Sequence, residues 1–303
     1  MTKNLTLIEL IHATAAQLEA AGLSLANGFG QGTLNAFDEA AWLVQWALKL
    51  PLQSLDWSAN RAVSESEQAR VATLLRARVT SRKPLAYLTN EAWLQGVAFY
   101  VDERVIIPRS FIAELLVDES IDPWLTDKTH NVLDLCTGNG SLAVLAAMAY
   151  PDVLVDAADI SADALAVARI NVEKHDLAAR ITLLQSDGLA GCRGLHNGGY
   201  DLILCNPPYV NAATMSALPA EFKAEPALAL AGGADGMDII RQLLQTVCSH
   251  MSENAALILE IGNERENFER AFPELEPLWF ETSGGPDQVL LLTKQQLSRQ
   301  QPP

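Results

Sequence analysis

The sequence predicts an α/β protein in which a doubly wound sheet follows a small helical domain. Three observations predict it. The first 82 residues carry helical periodicity, residues 83–108 carry strand-like alternation around a turn, and the remainder alternates strands with helices. A chain of 303 residues exceeds one average domain, so a large α/β domain with a smaller companion fits its length.

Two capping boxes mark helix starts within residues 1–82. Thr6 and Glu9 form the first, and Ser64 and Glu67 form the second. In each box a hydroxyl and a carboxylate three residues apart can satisfy the free N–H groups of a first helical turn. Apolar residues follow both boxes at helical spacing, and Ala40–Leu48 keeps the same period. We therefore predict a domain of three amphipathic helices.

Residues 83–108 predict a β-hairpin that links this domain to the next, because apolar residues alternate there on both sides of Gly96. Residues 109–295 predict the α/β domain, which begins with a helix over Phe111–Asp118 and a polar connection to His130. The last residues, 296–303, are polar and predict a flexible tail.

Seven strands are expected in the α/β domain, and four helices between them. The predicted strands are Val132–Leu135, Val153–Ala158, Ile181–Gln185, Leu202–Cys205, Ala256–Ile261 and a late pair near Trp279 and Val289–Leu292. The predicted helices are Ser141–Tyr150, Ala162–His175, Met237–Met251 and Glu264–Phe272. This alternation implies a parallel sheet covered on both faces, with its ligand beyond the carboxyl ends of the strands.

The composition is that of a folded, acidic protein. Hydrophobic residues make up 49% of the chain and charged residues 19%, a profile typical of globular enzymes. The 21 basic and 37 acidic residues give a formal net charge of −16, which repels phosphate backbones and attracts basic partners. The charge therefore counts against a nucleic-acid substrate, although many cytosolic proteins are acidic for solubility alone.

Cysteine spacing and hydropathy predict a cytoplasmic protein without a metal site. The 4 cysteines show no C-x-x-C spacing and no nearby histidine pair, so neither a zinc site nor a disulfide framework is indicated. Residues 1–12 lack a basic region followed by an apolar stretch. The longest apolar runs, such as Leu142–Tyr150, are too short to cross a bilayer, so we expect no membrane association.

A glycine-rich loop follows the first strand of the predicted sheet. It reads Asp134-Leu135-Cys136-Thr137-Gly138-Asn139-Gly140. The glycines let the backbone approach a ligand closely, and on their own they also match the dinucleotide fingerprint of a nicotinamide dehydrogenase. Asp134 favours another ligand, because a carboxylate lies badly beside a pyrophosphate but attracts the ammonium of a methionine group, directly or through water.

Two further acids follow the next two strands. Asp159 ends the second, where a carboxylate can accept hydrogen bonds from both ribose hydroxyls, and Asp187 follows the third, where it can meet an adenine amino group. Each acid alone could be a helix cap or a loop residue, but the three in this order predict a cleft for S-adenosyl-L-methionine. The predicted cofactor contacts are Asp134, Cys136, Thr137, Gly138, Asn139, Gly140, Asp159, Ile160, Ser186, Asp187 and Asn206.

Asn206-Pro207-Pro208-Tyr209 ends the fourth strand, beside this cleft. Amide and aromatic amino nitrogens are poor nucleophiles because their lone pair is delocalised. The Asn206 side-chain carbonyl and the Pro207 backbone carbonyl can each accept one N–H and aim the nitrogen at the methyl-sulfonium. We predict these two as catalytic residues and Pro208 and Tyr209, a stiff turn and a ring face, as substrate-binding residues. The alternative is a turn that only ends a strand.

With these motifs the chain resembles the HemK/PrmB family of protein-glutamine methyltransferases over nearly its full length. The matching stretches are Arg82–Leu88, Ile107–Arg109, Asp134–Gly140, Asn206–Tyr209 and Glu225-Pro226 with Gly232–Gly236. The resemblance implies a class I, Rossmann-like methyltransferase domain of seven strands and a helical domain that recognises the substrate. It also implies that Asn206 and Pro207 hold a glutamine amide.

Three parts of the sequence indicate which branch of the family the chain resembles. Ser110–Leu115 and Cys136 depart from the release-factor branch, whereas Thr89–Trp93 is similar to the branch that methylates a glutamine of the third protein of the large ribosomal subunit. We favour this branch, since a basic ribosomal protein would be attracted to an acidic enzyme. We expect no direct nucleic-acid substrate, and a monomer or a weak dimer.

Three alternatives stay open at this point. A glutamine methyltransferase of peptide chain release factors is the nearest. An adenine-amino methyltransferase of DNA or RNA uses the same motif logic but would need a basic groove. A ribosome-assembly factor that binds the cofactor without turnover is the third.

Overall fold

The computed structural model describes residues 5–52, 55–193 and 198–299, and the chain divides into two compact units. The helical unit comprises residues 1–92 and 218–224, and the α/β unit comprises residues 93–217 and 225–303. The helical unit therefore extends past the predicted boundary at residue 82. It also includes a short segment from the middle of the α/β sequence, which periodicity could not indicate.

The helical unit is built from short strands and five helices of the described chain. They are β1 (Leu5–Thr6), α1 (Leu7–Ala20), α2 (Ala36–Leu48), α3 (Leu55–Ser58), β2 (Ala62–Val63), α4 (Glu65–Ser81) and α5 (Leu85–Thr89). Both predicted capping boxes are confirmed, at the first residues of α1 and α4. The antiparallel pairing of β1 with β2 spans two residues each, too few to leave an alternation pattern.

A buried ion cluster lies inside the helical unit. The Arg78 guanidinium, fully buried on α4, donates to Glu39 at 2.8 Å and to Glu221 at 3.4 Å. Arg82 donates to the same Glu221 carboxylate at 2.6 Å. Because Glu221 belongs to residues 218–224, charge ties this segment to the helices. Removing one partner of a buried ion pair leaves the other charge unpaired, at a cost of about 3–5 kcal/mol.

The α/β unit contains the predicted strands and helices. The hairpin predicted over 83–108 spans only residues 92–99, because Leu85–Thr89 forms helix α5 and residues 100–108 form no strand. Its elements are β3 (Ala92–Leu94), β4 (Val97–Phe99), α6 (Ile112–Val117), β5 (Asn131–Leu135), α7 (Ser141–Ala149), β6 (Leu154–Asp159), α8 (Ala162–Lys174), β7 (Ile181–Gln185), β8 (Tyr200–Cys205), α9 (Ala212–Ala217), α10 (Asp238–Thr246), β9 (Met251–Glu260), α11 (Arg265–Ala271), β10 (Leu278–Thr282), β11 (Gly285–Thr293) and α12 (Lys294–Ser298). β3 starts at the last residue of the helical unit.

Seven strands form the central sheet in the order β10-β11-β9-β8-β5-β6-β7. The five strands from β9 to β7 run parallel, whereas β11 is antiparallel to both of its neighbours. The seven predicted strands are confirmed, but the expectation of a parallel sheet is wrong for β11, because a turn as short as Ser283-Gly284 can only join antiparallel strands. Strand order reverses beside β5, which leaves a crevice at the carboxyl ends.

Both faces of the sheet are covered by helices, as the alternation predicts. Val132 of β5 packs with Leu145 of α7 and with apolar residues of α6 and α8 on one face. Leu133, the next residue, packs on the other face with Ile240 of α10 and with apolar residues of α11 and α12. Successive residues of a strand point to opposite faces of the sheet, so the short apolar strand β5 contributes side chains to both hydrophobic cores. The core on each face holds the strand ends rigidly in place.

The last helix occupies part of the segment predicted as a flexible tail, 296–303. Thr293 and Gln296 form a third capping box, and Leu297 is buried against the apolar core. A single apolar residue carries no periodicity, so the sequence did not indicate this helix. Residues 300–303 of that tail, and the first four residues of the predicted helical domain, lie outside the described residues.

Across residues 5–52, 55–193 and 198–299, no helix is both long enough and apolar enough to span a membrane. The same residues contain no cluster of histidine, cysteine, aspartate and glutamate side chains suited to a metal ion. All four cysteines are free thiols.

Candidate active site

A cavity of about 470 Å³ lies at the carboxyl ends of the parallel strands of the α/β unit. Its lining includes eight of the predicted site residues, namely Cys136, Gly138, Asp159, Ile160, Ser186, Asp187, Asn206 and Pro208. The other six predicted residues do not line it within the described chain; they are Asp134, Thr137, Asn139, Gly140, Pro207 and Tyr209. Most of the predicted residues therefore lie together at the carboxyl ends of the strands, where open α/β sheets bind their ligands.

Asp134 holds the glycine-rich loop from behind the cavity wall. Its fully buried carboxylate accepts hydrogen bonds from the Thr137 hydroxyl and, at 2.9 Å, from the backbone N–H of Ala143 in the first turn of α7. The loop is therefore fixed between β5 and α7. Burial raises the pKa of Asp134 from 3.8 to about 7, because the charged form is poorly solvated there.

We expect Asp134→Asn to change how stability depends on pH. The folded-state pKa of about 7 lies above the ordinary value of 3.8, so the folded protein binds more protons between these limits and its stability falls as pH rises through them. Asparagine cannot ionise, so the variant should lose this decline, whose slope is at most ~1.4 kcal/mol per pH unit. Urea unfolding at several pH values from about 5 to 7 measures it. Parallel curves would contradict the expectation.

Three residues of the loop adopt a left-handed backbone conformation. Cys136 has φ of 62°, Gly138 of 56° and Gly140 of 81°. The conformation suits the glycines but costs a residue with a side chain roughly 1 kcal/mol. Cys136 offsets this cost in part, because its side chain packs against the apolar core beneath the sheet. The loop thus turns sharply enough to place its backbone along the cavity.

Asp159 joins the loops that follow two neighbouring strands. One carboxylate oxygen accepts the N–H of Gly138 at 2.9 Å, and the other accepts the N–H of Ser161 at 2.9 Å. A carboxylate oxygen can accept a second hydrogen bond, so both oxygens keep capacity for ribose hydroxyls. Beside them the Ile160 side chain is 49% exposed and offers an apolar surface to the cavity.

The loop after β7 is shaped by Ser186. Its hydroxyl donates to the Gly188 carbonyl at 2.7 Å and accepts the N–H of Gly191 at 2.8 Å. These bonds curl residues 186–191 around the end of the cavity, where Asp187 and Leu189 line the wall. A carboxylate and an apolar side chain at one end of a cleft suit a heteroaromatic base with an exocyclic amino group.

Two unsatisfied polar atoms test whether S-adenosylmethionine fits this site. Asp134 Oδ1 and Asn139 Nδ2 are buried and have no hydrogen-bond partner among the described residues. Buried polar groups are nearly always paired, so an acceptor and a donor at the loop call for complementary groups. The ammonium and carboxylate of a methionine group are the complementary charges, and because Asp134 and Asn139 lie behind the cavity lining, a bridging water would connect them. With Asp159 for the ribose and Ile160 for the adenine, the residues fit the cofactor.

The motif after β8 lies at the wall of the same cavity. Asn206 and Pro208 line it, and Pro207 between them is buried. Among the described residues, none forms a hydrogen bond with the partly buried side-chain amide of Asn206. Pro207 and Pro208 have no backbone N–H, so neither can donate a hydrogen bond to a neighbouring carbonyl oxygen. The Asn206 side chain therefore presents a free acceptor oxygen at the wall of the cofactor cleft.

The Gly232–Gly236 loop packs directly on the backbone of this motif. A Cβ added at Gly232 would lie 2.7 Å from the Tyr209 Cα and 2.8 Å from the Pro208 carbonyl oxygen. Main-chain hydrogen bonds from Val210 N–H to the Leu230 carbonyl and from Gly232 N–H to the Val210 carbonyl complete the contact. Glycine is required here because the two backbones approach too closely for any side chain.

An ion pair that sequence reasoning missed braces the cavity wall. The Arg109 guanidinium donates to both oxygens of buried Glu225, at 2.6 and 2.8 Å, and the Ile107 N–H donates to the same carboxylate at 3.0 Å. Ile106 and Pro226, which adjoin this network, both line the cavity. Both stretches belong to the family motifs, but no local pattern in the sequence indicates that residues so far apart form one bidentate ion pair.

A further set of lining residues comes from α10 and the turns beside it. It includes Leu228, Ala229, Ile239, Gln242, Leu243, Gln245, Thr246 and His250. Four of them lie at helical spacing, which predicts a buried helix face but does not tell a cavity from a core. The polar residues Gln242 and Thr246 on this otherwise apolar face were the sequence signal that could have indicated a cavity.

Comparison with known proteins places these features in a family. The family model described as methyltransferase small domain matches residues 113–243. The chain is 50% identical to the ribosomal protein uL3 glutamine methyltransferase of Bordetella pertussis over 295 residues, which covers 97% of this chain and 96% of that protein. It is 48% identical to the enzyme of the same name from Burkholderia pseudomallei over 275 residues, which covers 89% of each.

Among solved structures, the hMettl16 catalytic domain in complex with MAT2A 3'UTR hairpin 6 has a TM-score of 0.50 and 12% identity, covering 77% of this chain and 84% of that chain. At this identity the likeness concerns the fold alone, and with the seven-stranded sheet it confirms the predicted class I fold. The predicted enzyme class and the favoured branch are confirmed by the curated relatives. With such identity over nearly the whole of both chains, the chain belongs to the family of ribosomal protein uL3 glutamine methyltransferases.

Proposed function

We propose that the protein transfers a methyl group from S-adenosylmethionine to the side-chain amide nitrogen of a glutamine in ribosomal protein uL3. One observation carries the proposal. Asn206 and Pro208 of the Asn-Pro-Pro-Tyr motif line a cavity of about 470 Å³ whose other residues suit the methyl donor. The 50% identity to a uL3 glutamine methyltransferase supports the choice of acceptor.

The cofactor supplies an electrophilic methyl group on a sulfonium, so the protein must hold and orient the acceptor nitrogen. The Asn206 side-chain oxygen accepts one N–H of the glutamine amide, and the Pro207 carbonyl oxygen accepts the other. Gripped in this way, the nitrogen cannot rotate and its developing lone pair points along the line of displacement. The C–N bond forms as the methyl–sulfur bond breaks, which leaves neutral S-adenosylhomocysteine. The nitrogen releases one proton to solvent, so the product is a neutral secondary amide.

The remaining site residues hold the donor. Asp159 receives the ribose hydroxyls, and Asp187 receives the adenine amino group beside Ile160. The glycine-rich loop, braced by Asp134, lies along the methionine group. The placement of the loops described above supports these roles, because each loop follows the carboxyl end of a strand of the central sheet.

The distribution of charge supports attraction of a basic substrate. The helical unit carries nine basic and nine acidic residues, whereas the α/β unit carries twelve basic and 28 acidic residues. The whole net charge of the protein therefore belongs to the unit that carries the reaction. We take uL3 to be basic before assembly, so association should be fast at low salt and slow at high salt. Recognition by the neutral helical unit would then depend on shape and hydrogen bonds.

Methyl transfer to purified uL3 tests the proposal. The protein is incubated with labelled S-adenosylmethionine and with uL3, a peptide chain release factor or duplex DNA, and the label on each is counted. We expect label on a glutamine of uL3, and mass spectrometry of ribosomal proteins from cells lacking the enzyme should show one missing methyl group on uL3. Label on the release factor alone would move the assignment to the sister branch. Label on DNA would overturn it.

A ribosomal-protein substrate is met in the cytoplasm, which supports the location predicted from the sequence. We also propose that the enzyme acts as a monomer or a weak dimer. Light scattering at several protein concentrations measures the oligomeric state.

A further inference from the structure

A buried carboxylate at the end of β9 contacts the motif tyrosine. Glu260 is the last residue of the strand and is only 2% exposed. One of its oxygens accepts the Tyr209 hydroxyl at 3.3 Å. The other accepts the Ser110 hydroxyl at 2.6 Å and the Phe111 N–H at 2.9 Å. Glu260 therefore joins the turn after Arg109 to the last residue of the motif.

The ring of Tyr209 is held on a second side by Gly262. A Cβ added at Gly262 would lie 2.4 Å from Cε2 of the ring, and the φ of Gly262, 54°, is one that glycine favours. The hydroxyl is thus fixed by Glu260 and the ring by the backbone two residues later. The Tyr209 Cα and carbonyl meet the Gly232–Gly236 loop. The orientation of this one side chain is set from three directions.

We propose that Glu260 is a positioning residue for methyl transfer, which fixes the ring of Tyr209 and thereby the surface on which the acceptor amide lies. The inference rests on the proposed function. Tyr209 follows Pro207 by two residues in a stiff turn, so a rotation of the ring disturbs both the contact surface and the carbonyl that grips the amide.

The chemistry around Glu260 goes beyond what ending a strand requires. A carboxyl buried without donors is strongly destabilising, and here three donors from two separate segments meet it. Burial raises the pKa of Glu260 to about 7 and raises the pKa of Tyr209, so the phenol keeps its proton and donates. Ser110 and Phe111 both donate to one oxygen, and the Tyr209 hydroxyl donates to the other, so the carboxylate and the ring of the motif hold each other in place.

A set of single and double variants tests the inference. Tyr209→Phe removes only the hydroxyl, and we expect it to lower kcat for uL3 about tenfold while the dissociation constant of S-adenosylhomocysteine stays unchanged. Glu260→Gln keeps polar atoms toward all three donors, because its amide can pair with the phenol, and should retain most of the activity. Glu260→Leu should lower kcat by the same factor as Tyr209→Phe, and the double variant should be no worse than either single.

Tyr200→Phe is the matched control. The Tyr200 hydroxyl donates to Asp156 at 2.7 Å, a buried phenol–carboxylate bond away from the motif, so its loss should lower the melting temperature but leave kcat unchanged. If Glu260→Leu does not fold, the comparison of Tyr209→Phe with Tyr200→Phe still decides. Wild-type kcat in Tyr209→Phe, or a further tenfold loss when Glu260→Leu is added to it, overturns the inference. A wild-type enzyme that leaves uL3 unmethylated refutes the proposed function instead.

Discussion

Replacing Asn206 with alanine is expected to lower kcat for uL3 methylation by about a thousandfold, because the variant loses one of two acceptors that grip the glutamine amide. The nitrogen would then rotate, and its lone pair would spend little time along the line of displacement. The affinity for S-adenosylmethionine should fall much less, since most of the cavity lining that holds it comes from other loops. Single-turnover methylation measures the first effect, and calorimetric titration with S-adenosylhomocysteine measures the second.

Asn206→Asp is the matched variant for this test. It keeps an acceptor oxygen at the same position but replaces the amide N–H₂ with a second, negatively charged oxygen, so it should retain more activity than Asn206→Ala. If the alanine variant stays within a few-fold of the wild-type rate, the amide is not held by Asn206. If aspartate and alanine are equally impaired, the side chain acts through its N–H₂ group and the assigned role is wrong.

Asp159→Asn is expected to weaken S-adenosylmethionine binding by about a hundredfold, from the loss of hydrogen bonds between a carboxylate and two ribose hydroxyls. The substitution also disturbs the site itself. The carboxylate accepts the N–H groups of Gly138 and Ser161, and an asparagine N–H₂ would face one of these donors. At saturating cofactor kcat should recover in large part, because Asp159 does not touch the acceptor amide.

Asp163→Asn serves as the control, since Asp163 is an exposed residue of α8 outside the described cavity lining. It removes the same charge a few residues later and should bind the cofactor as the wild type does. Titration of each variant with S-adenosylmethionine gives the dissociation constants. Equal weakening in both variants would mean that net charge, and not the hydrogen bonds of Asp159, controls binding.

The sequence predicted those parts of the structure that depend on local chemistry. The capping boxes at Thr6 and Ser64 predicted the first residue of two helices correctly. Each of these side chains accepts a hydrogen bond from a free N–H of the first helical turn, so the motif is tied to the helix start. The seven strands were found within a few residues, since fully buried strands form short apolar runs. The acids at strand ends were informative because parallel topology brings all carboxyl ends to one edge.

The sequence did not predict the side-chain contacts between residues that lie far apart in the chain. Glu225 meets Arg109 and Glu260 meets Tyr209 only after the sheet has formed, and no local pattern distinguishes these carboxylates from solvated ones. The sequence predicted that Asp134 attracts the cofactor ammonium, directly or through water. The structure shows that one oxygen braces the loop through Thr137 and Ala143, which leaves only the other oxygen for the ammonium.

The adenine-amino alternative shares the motif but not the electrostatics. A nucleic-acid substrate would have to approach an α/β unit with twelve basic and 28 acidic residues. Each phosphate contact normally needs a lysine or arginine, and repulsion of this size opposes binding, most strongly at low salt concentration. The likeness to an RNA-bound methyltransferase domain, at 12% identity, therefore extends to the chain fold and not to the acceptor.

The ion cluster around Arg78 limits how this protein can be divided for experiments. An expression fragment that stops at residue 92 would omit residues 218–224 and with them Glu221. In this fragment the buried Arg78 guanidinium would keep its ion pair with Glu39 but lose the one with Glu221. Because a buried charge that loses a partner destabilises the fold, the fragment should be prone to aggregation. A soluble fragment would need that seven-residue peptide restored, for example through a glycine-rich connection after residue 92.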